Sequence, residues 1–400
     1  MVTDPGSGRS QGSSRGRIVH VLEAFTGGTA RHLDLLLRLI QGWDQSAIVS
    51  VGREARAIEG VERLRAAGSI IRVVPMRRGP SPVADMIALF RIFSILREIR
   101  PDIVHCHSAK AGFLGRAAAR LAGVPASIYT PHALPFHERM SAPEALIYRT
   151  LERVTGRWTS RIVAVSATEF EQVERARLVS RDRITLIPNG VPLTDSIPES
   201  PATRLAARAA LGIPAEKRVV VCVAHLRPQK APLDWVRMAG QVFRQIPESF
   251  FVWAGDGEME HEFLAALRQA LPDGTYSYQG YLEHTRPVLE AADCLAMASL
   301  WEGCSYVLLD AMAMGLPCAV TAVAGCRDAI VDGQNGTISP PGDPASLASS
   351  VIRVLSNPSA AREMGQAARR TIQEQYNIEQ FVEKHQRMYE EVVGGRKKRE

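Results

Sequence analysis

Short apolar runs rich in Val and Ile alternate with longer amphipathic segments along most of the 400-residue chain. Apolar runs of this length predict buried strands, and the amphipathic segments between them predict helices. In the first half, the predicted strands cover 17–25, 45–52, 69–76, 102–108, 127–132, 161–166 and 184–188. In the second half, they cover 218–225, 250–255, 275–280, 294–298, 318–322 and 337–339. Strands and helices in alternation predict α/β domains with parallel sheets and right-handed crossovers.

A break in the pattern divides the chain into two halves. It begins at Pro188 and continues into a Pro/Ser-rich stretch at 196–201, which has the composition of a linker. We predict a disordered leader over 1–16, an N-terminal domain over 17–195, a C-terminal domain over 196–376, and a terminal helix with a basic tail over 377–400. Parallel sheets bind ligands beyond the carboxyl ends of their strands. We therefore expect the chemistry in strand-to-helix loops of both halves, facing each other across a cleft.

Composition excludes several classes of protein. Hydrophobic residues make up 46% of the chain and charged residues 22%, as in a soluble globular protein. The charge of +6, from 48 basic and 42 acidic residues, suits an anionic ligand or an acidic membrane surface and does not establish nucleic-acid binding. The six cysteines lie mostly in apolar runs without a CxxC pair, which predicts buried thiols in a reducing cytoplasm. The chain shows no apolar signal segment and no uncharged stretch of about 20 residues that could span a membrane.

Two acidic residues flank the start of an apolar helix. Residues 306–314 are apolar except for Asp310, and Glu302 precedes them; Ser305 can cap the helix and Gly315 can end it. Burying an ionised carboxylate costs several kcal/mol without polar partners. The acids therefore either satisfy neighbouring protein groups or bind a ligand rich in hydroxyls and phosphate. The free N–H groups of the helix N-terminus favour the ligand.

Three further loops carry candidate chemistry after predicted strands. Gly27 and Gly28 either form an ordinary turn or let the backbone approach a phosphate or sugar. Arg227 and Lys230 are either solvated cations or groups that stabilise a diphosphate leaving group. His132 could bond a sugar hydroxyl or handle a proton.

His105 and His107 alternate around Cys106 and therefore point to the same side of a predicted strand. A zinc site needs a third ligand, which the sequence does not place. Structural or acceptor-side roles are favoured over metal binding for these two histidines.

The segment 85–97 combines a strong apolar stripe with Arg91 and Arg97. It predicts a helix that packs on the sheet. The alternative is contact with an anionic membrane or a lipid carrier.

The ordered set of motifs is similar to the retaining glycosyltransferases of family 4 (the group 1 glycosyltransferases), and to bacterial polysaccharide-assembly enzymes among them. The motifs that carry the resemblance are Gly27-Gly28, 107–112 (HSAKAG), 130–132 (TPH), 187–191 (IPNGV), 228–230 (PQK), 254–257 (AGDG), Glu302-Gly303 and 311–317 (AMAMGLP). The resemblance implies the GT-B fold, in which two Rossmann-like α/β domains face each other across a cleft.

The resemblance also implies roles for individual residues. Glu302 would contact donor-sugar hydroxyls near the reacting centre, and His132 would stabilise positive charge beside the sugar. The implied donor-binding residues are Gly27, Gly28, Arg227, Lys230, Gly303, Cys304, Ser305, Tyr306, Val307, Leu308 and Asp310. The implied acceptor-side residues are His107, Ser108 and Lys110. The chain departs from the family pattern at Asp310 (usually Glu), His225 (usually Arg) and Ala231 (usually Gly).

The reaction implied by the resemblance is transfer of a hexosyl unit, with retention, from a nucleotide-diphosphate sugar to a glycan or polyprenyl-linked acceptor in bacterial polysaccharide biosynthesis. A UDP-sugar is favoured over GDP-mannose, and no cofactor or metal is expected because cations and the helix N-terminus take the metal's place. The expected location is the cytoplasm, with peripheral contact to the inner membrane face left open. The alternatives are a nucleotide-sugar epimerase of the same fold, a glycosidase using Glu302 and Asp310, and a non-catalytic sugar-binding protein.

Overall fold

The computed structural model describes residues 14–52, 56–77, 79–136, 140–193 and 201–397. The chain forms two compact units, and its path passes between them more than once. The first unit comprises Met1–Ala164, Val173–Thr185 and Val382–Glu400, and the second comprises Val165–Gln172 and Leu186–Phe381. Most of the predicted leader and of the Pro/Ser stretch at 196–201 lies outside the described residues. The last helix contributes mainly to the first unit rather than forming a separate segment.

Each unit contains one sheet. The strands of the first unit are β1 (Arg17–Leu22), β2 (Asp44–Val49), β3 (Ile70–Val73), β4 (Ile103–His107), β5 (Ala126–Thr130), β6 (Arg161–Ala164) and β7 (Ile184–Leu186). Those of the second unit are β8 (Arg218–Val223), β9 (Ser249–Ala254), β10 (Tyr276–Tyr278), β11 (Cys294–Met297), β12 (Cys318–Thr321) and β13 (Thr337–Ser339). All the predicted strands are present, slightly shorter than predicted.

Helices connect the strands. Those before residue 193 are α1 (Gly27–Leu39), α2 (Ala57–Ala66), α3 (Pro82–Ile99), α4 (Ala109–Ala122), α5 (Ala142–Gly156) and α6 (Ala167–Arg175). Those after residue 200 are α7 (Pro201–Ala210), α8 (Pro232–Gln245), α9 (Glu260–Ala270), α10 (Arg286–Ala291), α11 (Tyr306–Ala313), α12 (Ala324–Ala329), α13 (Pro344–Ser356), α14 (Pro358–Gln375) and α15 (Ile378–Lys397). Short 3-10 turns cover Arg181–Arg183 and Pro228–Lys230.

The strand order places a switch point in each sheet. The first sheet has the order β3-β2-β1-β4-β5-β6-β7 and the second β10-β9-β8-β11-β12-β13. The pairs β1–β2, β1–β4, β8–β9 and β8–β11 are all parallel. The direction of winding reverses between β1 and β4, and between β8 and β11, which opens a crevice at the carboxyl ends of these strands. The prediction of two Rossmann-like α/β domains is confirmed.

The core of the second unit contains aromatic side chains that pack edge to face or tilted against one another. The ring centroids of Trp235 and Trp253 lie 5.3 Å apart, and those of Trp253 and Phe263 lie 4.9 Å apart. The indole nitrogen of Trp235 donates to the carbonyl of Ala296 in β11 at 3.2 Å. The bond satisfies the polar end of a buried ring, and it ties α8 to the strand that leads into the candidate site.

The cysteines match their sequence pattern. All six are free thiols, and all are buried except Cys304, which is half-buried. Burial disfavours the thiolate and raises the pKa of both Cys106 and Cys294 to about 12. The prediction of buried thiols is confirmed.

The end of α11 packs directly against α14. Gly315 follows α11 with a φ of 69°, as predicted for the residue that ends this helix. A Cβ on Gly365 in α14 would lie 1.9 Å from the Gly315 carbonyl oxygen. The two backbones are therefore in contact, and only glycine fits at this position of α14.

We expect Gly365→Ala to lower the free energy of unfolding by about 1–3 kcal/mol, because one helix must shift to admit the methyl group. Urea denaturation measures the change. The matched control is Gly394→Ala, at an exposed helical position with no heavy atom within 4 Å of the added Cβ. That control should be neutral or stabilising by up to about 1 kcal/mol, because alanine is the better helix former. Equal effects of the two substitutions would contradict the contact.

Candidate active site

Glu302 lies in the loop after β11, on one side of the switch point of the second sheet. Its side chain is only 8% exposed. One carboxylate oxygen, Oε1, accepts a hydrogen bond from the Nζ of Lys230 and another, at 2.8 Å, from the hydroxyl of Ser299. The buried charge is thus compensated by a cation and a hydroxyl, as burial requires. Lys230 follows β8, the strand on the other side of the switch point, so the topology brings the two residues together.

Backbone contacts hold these two loops in register. The side-chain amide of Gln229 donates to the Trp301 carbonyl at 2.8 Å, and the Leu300 N–H donates to the Gln229 carbonyl at 2.8 Å. Thr321 at the end of β12 donates its hydroxyl to the Ser299 carbonyl at 2.5 Å. The sequence prediction missed Ser299, Gln229 and Thr321. Ser299 stands directly after an apolar strand run, which is the one sequence signal that could have marked it.

The N-terminus of α11 starts beside Glu302. Ser305 is its N-cap, as predicted, and its hydroxyl accepts from the Leu308 N–H. The buried Asn189 donates its side-chain N–H to the Cys304 carbonyl at 2.7 Å. A Cβ on Gly325 would lie 2.2 Å from the Gly303 carbonyl oxygen, so the start of α12 packs directly on this turn. These contacts fix the predicted donor-binding stretch from Gly303 to Leu308 at the positive end of a helix dipole. Asp310 is half-buried on the same helix.

The loop after β8 has an unusual backbone conformation where the family carries glycine. Ala231 has a φ of 45°, in the left-handed region that disfavours a Cβ. The Leu226 N–H donates to the Asp256 carbonyl at 2.9 Å, and the loop is thereby held against the turn after β9. His225 Nδ1 lies 3.9 Å from a carboxylate oxygen of Asp256. The segment that carries Arg227 and Lys230 is therefore a constrained turn.

In the first unit, the predicted residues lie at the carboxyl ends of β1, β4 and β5. Gly27 opens α1 after β1 with a φ of 55°. Ser108 after β4 and His132 after β5 have φ values of 71° and 60°, although neither is glycine. Strained backbone at neighbouring strand ends is typical of functional sites. Lys110, predicted on the acceptor side, is paired with Asp85 of α3 at 2.7 Å and is not available as an isolated cation.

Six histidines among the described residues gather in the first unit. They are His20, His32, His105, His107, His132 and His385. His105 Nδ1 bonds to the Tyr389 hydroxyl at 2.7 Å and its Nε2 to the Thr130 hydroxyl at 2.8 Å. The sequence singled out only His105, His107 and His132.

The cluster supplies a third histidine beside His105 and His107, which the sequence alone did not place. In two triplets, His20/His105/His107 and His32/His107/His132, the ring nitrogens lie within 4.8 Å of one another. Both ring nitrogens of His20, of His105 and of His107, which belongs to both triplets, are already engaged in hydrogen bonds. A metal ion would have to displace those bonds, so we treat the cluster as hydrogen-bonded rather than metal-ligating.

Burial keeps four of these imidazoles neutral, those of His20, His105, His107 and His132. It lowers the pKa of His20 to about 4, against a smaller raising effect of the hydrogen bond to Gln45, and it lowers the pKa of His132 to about 3. It also holds the pKa of His105 and of His107 well below the usual value, to which the neighbouring histidines add.

We expect acid to destabilise the first unit selectively. Below pH 6.5 these histidines become protonated in the unfolded chain but stay neutral in the folded unit. The free energy of unfolding therefore falls as the pH drops from 6.5 towards the pKa values of the folded state. Each such histidine contributes about 1.4 kcal/mol per pH unit in this window. Hydrogen exchange between pH 7 and pH 5, corrected for the intrinsic rate, should show lost protection in β1 and β4. The strands β8 and β11 are the internal control, because the histidines of the second unit (His225, His261 and His284) are not buried. Equal losses in both units would contradict the prediction.

The structure thus brings Lys230 and Glu302 together and places them in the same unit as the start of α11. His107, Ser108 and His132 come together in the other unit. The first group lies at the switch point of its sheet and the second at the carboxyl ends of β4 and β5. The roles of these residues stay predictions. Within the described ranges, no helix is long and apolar enough to cross a bilayer.

Comparison with known proteins assigns both units to one class of enzyme. Residues 17–190 match the family described as glycosyl transferase 4-like domain, and residues 203–371 match glycosyl transferases group 1. The chain belongs to the group 1 glycosyltransferases and has the GT-B fold.

Individual relatives agree with this assignment. The chain is 30% identical over 330 residues to the UDP-Gal:alpha-D-GlcNAc-diphosphoundecaprenol alpha-1,3-galactosyltransferase of Escherichia coli, covering 79% of this chain and 82% of that protein. It is 27% identical to the 2-deoxystreptamine N-acetyl-D-glucosaminyltransferase of Streptomyces fradiae, with 81% of each covered. Among solved structures, HepE of Anabaena in complex with UDP and glucose matches with a TM-score of 0.77 at 17% identity, over 93% of this chain and 98% of that one. These relatives confirm the prediction of a glycosyltransferase and give no support to the epimerase alternative.

Proposed function

We propose that the protein is a retaining hexosyltransferase that uses a UDP-sugar and a polyprenyl-diphosphate-linked sugar acceptor. The observation that carries this proposal is the buried pair of Glu302 and Lys230 at the switch point of the second sheet, beside the N-terminus of α11. A carboxylate recognises sugar hydroxyls, and a cation with a helix N-terminus recognises a diphosphate. One small region of the second unit therefore offers partners for both halves of a nucleotide sugar.

The pair of Glu302 and Lys230 suggests how the donor is received. Without a ligand, Lys230 neutralises the buried Glu302. A bound diphosphate carries more charge than one carboxylate and attracts the ammonium group of Lys230. Glu302 is then free to accept hydrogen bonds from hydroxyls of the donor sugar while it keeps its bond to Ser299.

The positive groups around the predicted diphosphate site support a reaction without a divalent metal. Lys230, Arg227 and the N–H groups at the start of α11 supply positive charge where the diphosphate departs. Retention follows if the acceptor attacks from the face that the diphosphate leaves, with the departing phosphate taking the acceptor's proton. Asp310 in place of the usual glutamate keeps a carboxylate for the nucleotide ribose.

The donor and acceptor assignments are supported by the relatives. The Escherichia coli enzyme is named for UDP-Gal and for a diphosphoundecaprenol-linked acceptor, and the Anabaena structure holds UDP and glucose. The acceptor side is assigned to the end of β4 in the first unit, where His107 and Ser108 lie, and His132 after the neighbouring β5 is assigned to the reacting sugar.

A thermal-shift panel of UDP, GDP and ADP sugars, with and without EDTA, tests the proposal. We expect UDP and UDP-sugars to raise the melting temperature, GDP-mannose and ADP-glucose to do so far less, and EDTA to change nothing. NMR of the product then reads the anomeric configuration. Stabilisation that requires a divalent cation, or product with inverted configuration, would reject the mechanism. No shift with any nucleotide would reject the donor site.

A stripe on α3 supports peripheral contact with a membrane that holds a lipid-linked acceptor. Val83, Met86, Ile87 and Phe90 repeat at helical spacing and are 75%, 52%, 49% and 60% exposed. The opposite face of α3 is buried, and the neighbouring Arg91 is exposed. An apolar stripe with adjacent cations suits an interfacial helix on an anionic surface.

We expect the double substitution Met86→Ser/Phe90→Ser to weaken binding to phosphatidylglycerol-containing vesicles about tenfold, because two exposed apolar side chains no longer enter the lipid. Vesicle co-sedimentation measures the change. The control is Ile58→Ser/Ile70→Ser in the same unit, whose side chains are 52% and 58% exposed outside the stripe. Equal binding by both variants would show that α3 does not dock on lipid.

A further inference from the structure

A continuous line of hydrogen bonds crosses the first sheet from strand to strand. Gln45 of β2 bonds to His20 of β1 at 3.0 Å, His20 to His107 of β4 at 3.2 Å, and His107 to His132, just after β5, at 3.3 Å. These strands are successive neighbours in the order β2-β1-β4-β5. His20 and His107 are fully buried, whereas His132 is half-buried. The line therefore runs from Gln45, which is half-buried as well, through two fully buried histidines to His132.

The direction of the line is set at Gln45. The side-chain nitrogen of Gln45 donates to the carbonyls of Ile40, at 2.8 Å, and Leu36, at 3.3 Å. These two bonds fix the orientation of the amide, so it is the oxygen of Gln45 that faces Nε2 of His20. An amide oxygen only accepts hydrogen bonds, and Nε2 of His20 must therefore carry the proton.

The donor and acceptor at each further hydrogen bond of the line follow from the proton on Nε2 of His20. A neutral imidazole carries one proton, so Nδ1 of His20 is an acceptor and takes its bond from the Nε2–H of His107. Nδ1 of His107 is then an acceptor as well, and takes its bond from the Nε2–H of His132. One lone pair is left at the end of the line, on Nδ1 of His132. Within the ranges that the structure describes, this nitrogen has no hydrogen-bond partner.

We propose that Gln45, His20 and His107 are positioning residues that hold His132 in the Nε2–H tautomer, and that Nδ1 of His132 accepts a hydrogen bond from a hydroxyl of the sugar substrate. The proposal rests on the proposed function, because it takes a sugar as the ligand. An acceptor nitrogen leaves electron density on the hydroxyl oxygen, whereas a donor N–H would withdraw it. The fixed tautomer therefore suits a sugar that develops positive charge, and His132 also has a strained φ of 60°, as is common at functional sites.

The matched pair Gln45→Glu and Gln45→Met tests the line at its remote end. Both variants lose the amide nitrogen and its bonds to Ile40 and Leu36. Only glutamate keeps an acceptor for His20. Two-bond proton–nitrogen correlation NMR on protein labelled with [15N]histidine reports the tautomer of His132. The signals of His132 are identified as those that disappear in His132→Ala. Initial rates of sugar transfer are measured on the same samples.

We expect the Nε2–H tautomer at His132 in the wild type and in Gln45→Glu, with kcat within about threefold of each other. In Gln45→Met we expect mixed tautomers at His132 and a kcat about tenfold lower, with the donor KM little changed. His20→Phe removes a link while filling similar volume and should have the same effect, which provides a second variant if Gln45→Met does not fold.

Three outcomes would overturn the inference. The first is that Gln45→Met and Gln45→Glu have identical tautomers and rates, and the second is an Nδ1–H tautomer at His132 in the wild type. The third is a stoichiometric transition metal in the purified protein, if removing the metal with a chelator also abolishes the tautomer pattern of the histidines. Failure of the proposed function is read separately. If the wild type transfers no sugar from any nucleotide donor, Nδ1 of His132 has no role as the acceptor of a hydrogen bond from a sugar hydroxyl. The NMR experiment still decides whether the line of hydrogen bonds sets the tautomer of His132.

Discussion

Glu302→Gln should lower kcat/KM for sugar transfer by about 10³-fold, comparable with the loss of a charged group that acts in the transition state. Glutamine keeps the shape of the side chain and can still accept from Ser299, which lies 2.8 Å from Oε1. On the proposed function, it removes the negative charge that would stand beside the developing positive charge of the donor sugar. Initial rates with the donor identified by thermal shift measure the loss, and Glu302→Asp, which keeps the charge on a shorter side chain, should retain more activity than Glu302→Gln.

The competing interpretation of Glu302 is purely structural, since its carboxylate is already satisfied by Lys230 and Ser299. In that case the substitution would cost stability, about 1–3 kcal/mol for hydrogen bonds to a charged group, and leave the rate of the folded enzyme within tenfold of the wild type. The free energy of unfolding, measured beside the rate, separates the two. Glu290→Gln is the control: its carboxylate pairs with the exposed Arg286 on α10 at 2.7 Å, and activity should stay within about twofold.

The sequence predicted the strands well for a physical reason. Strands such as β8 and β11 are buried on both faces, so they appear as unbroken apolar runs with sharp polar ends. The Ser305 cap and the Gly315 terminus of α11 were predictable because each depends on local backbone chemistry. What depends on neighbouring residues in the chain can be inferred from the sequence.

The histidine cluster could not be predicted in full, because it depends on the order of strands in the sheet. His20 becomes a neighbour of His105 only through the parallel pairing of β1 with β4, across more than eighty residues of sequence. His385 lies on α15, whose amphipathic pattern predicts a buried face but not which unit it packs against. One local signal was present: His20 interrupts the apolar run of β1, and a polar side chain in a buried strand needs a partner.

A buried ion pair in the first unit was also missed, and it leads to the largest expected effect on stability. Arg116 of α4 donates to Glu152 of α5 at 2.7 Å, with side-chain exposures of 0% and 5%. The Tyr129 hydroxyl donates to the other oxygen of Glu152 at 3.1 Å, and the guanidinium lies 3.9 Å from the centre of the Tyr129 ring. Arg116 also donates to the Gly112 carbonyl and the Thr159 hydroxyl. The network links β5, α4 and α5 directly behind the strand end that carries His132.

Glu152→Gln should therefore lower the free energy of unfolding of the first unit by about 3–5 kcal/mol, because it leaves the guanidinium of Arg116 buried without a counter-charge. The double substitution Arg116→Met/Glu152→Leu should recover much of the loss, since it removes both charges and keeps the volume. Urea denaturation monitored by hydrogen exchange measures the change separately in each unit. A measurement for each unit is needed because a chain with two units does not have to unfold in a single two-state transition. The control Glu383→Gln removes an exposed partner of Arg387 on α15 and should cost less than about 0.5 kcal/mol. A loss below about 1 kcal/mol for Glu152→Gln, or a double variant less stable than the single one, would mean that the pair does not hold α4 and α5 to the sheet.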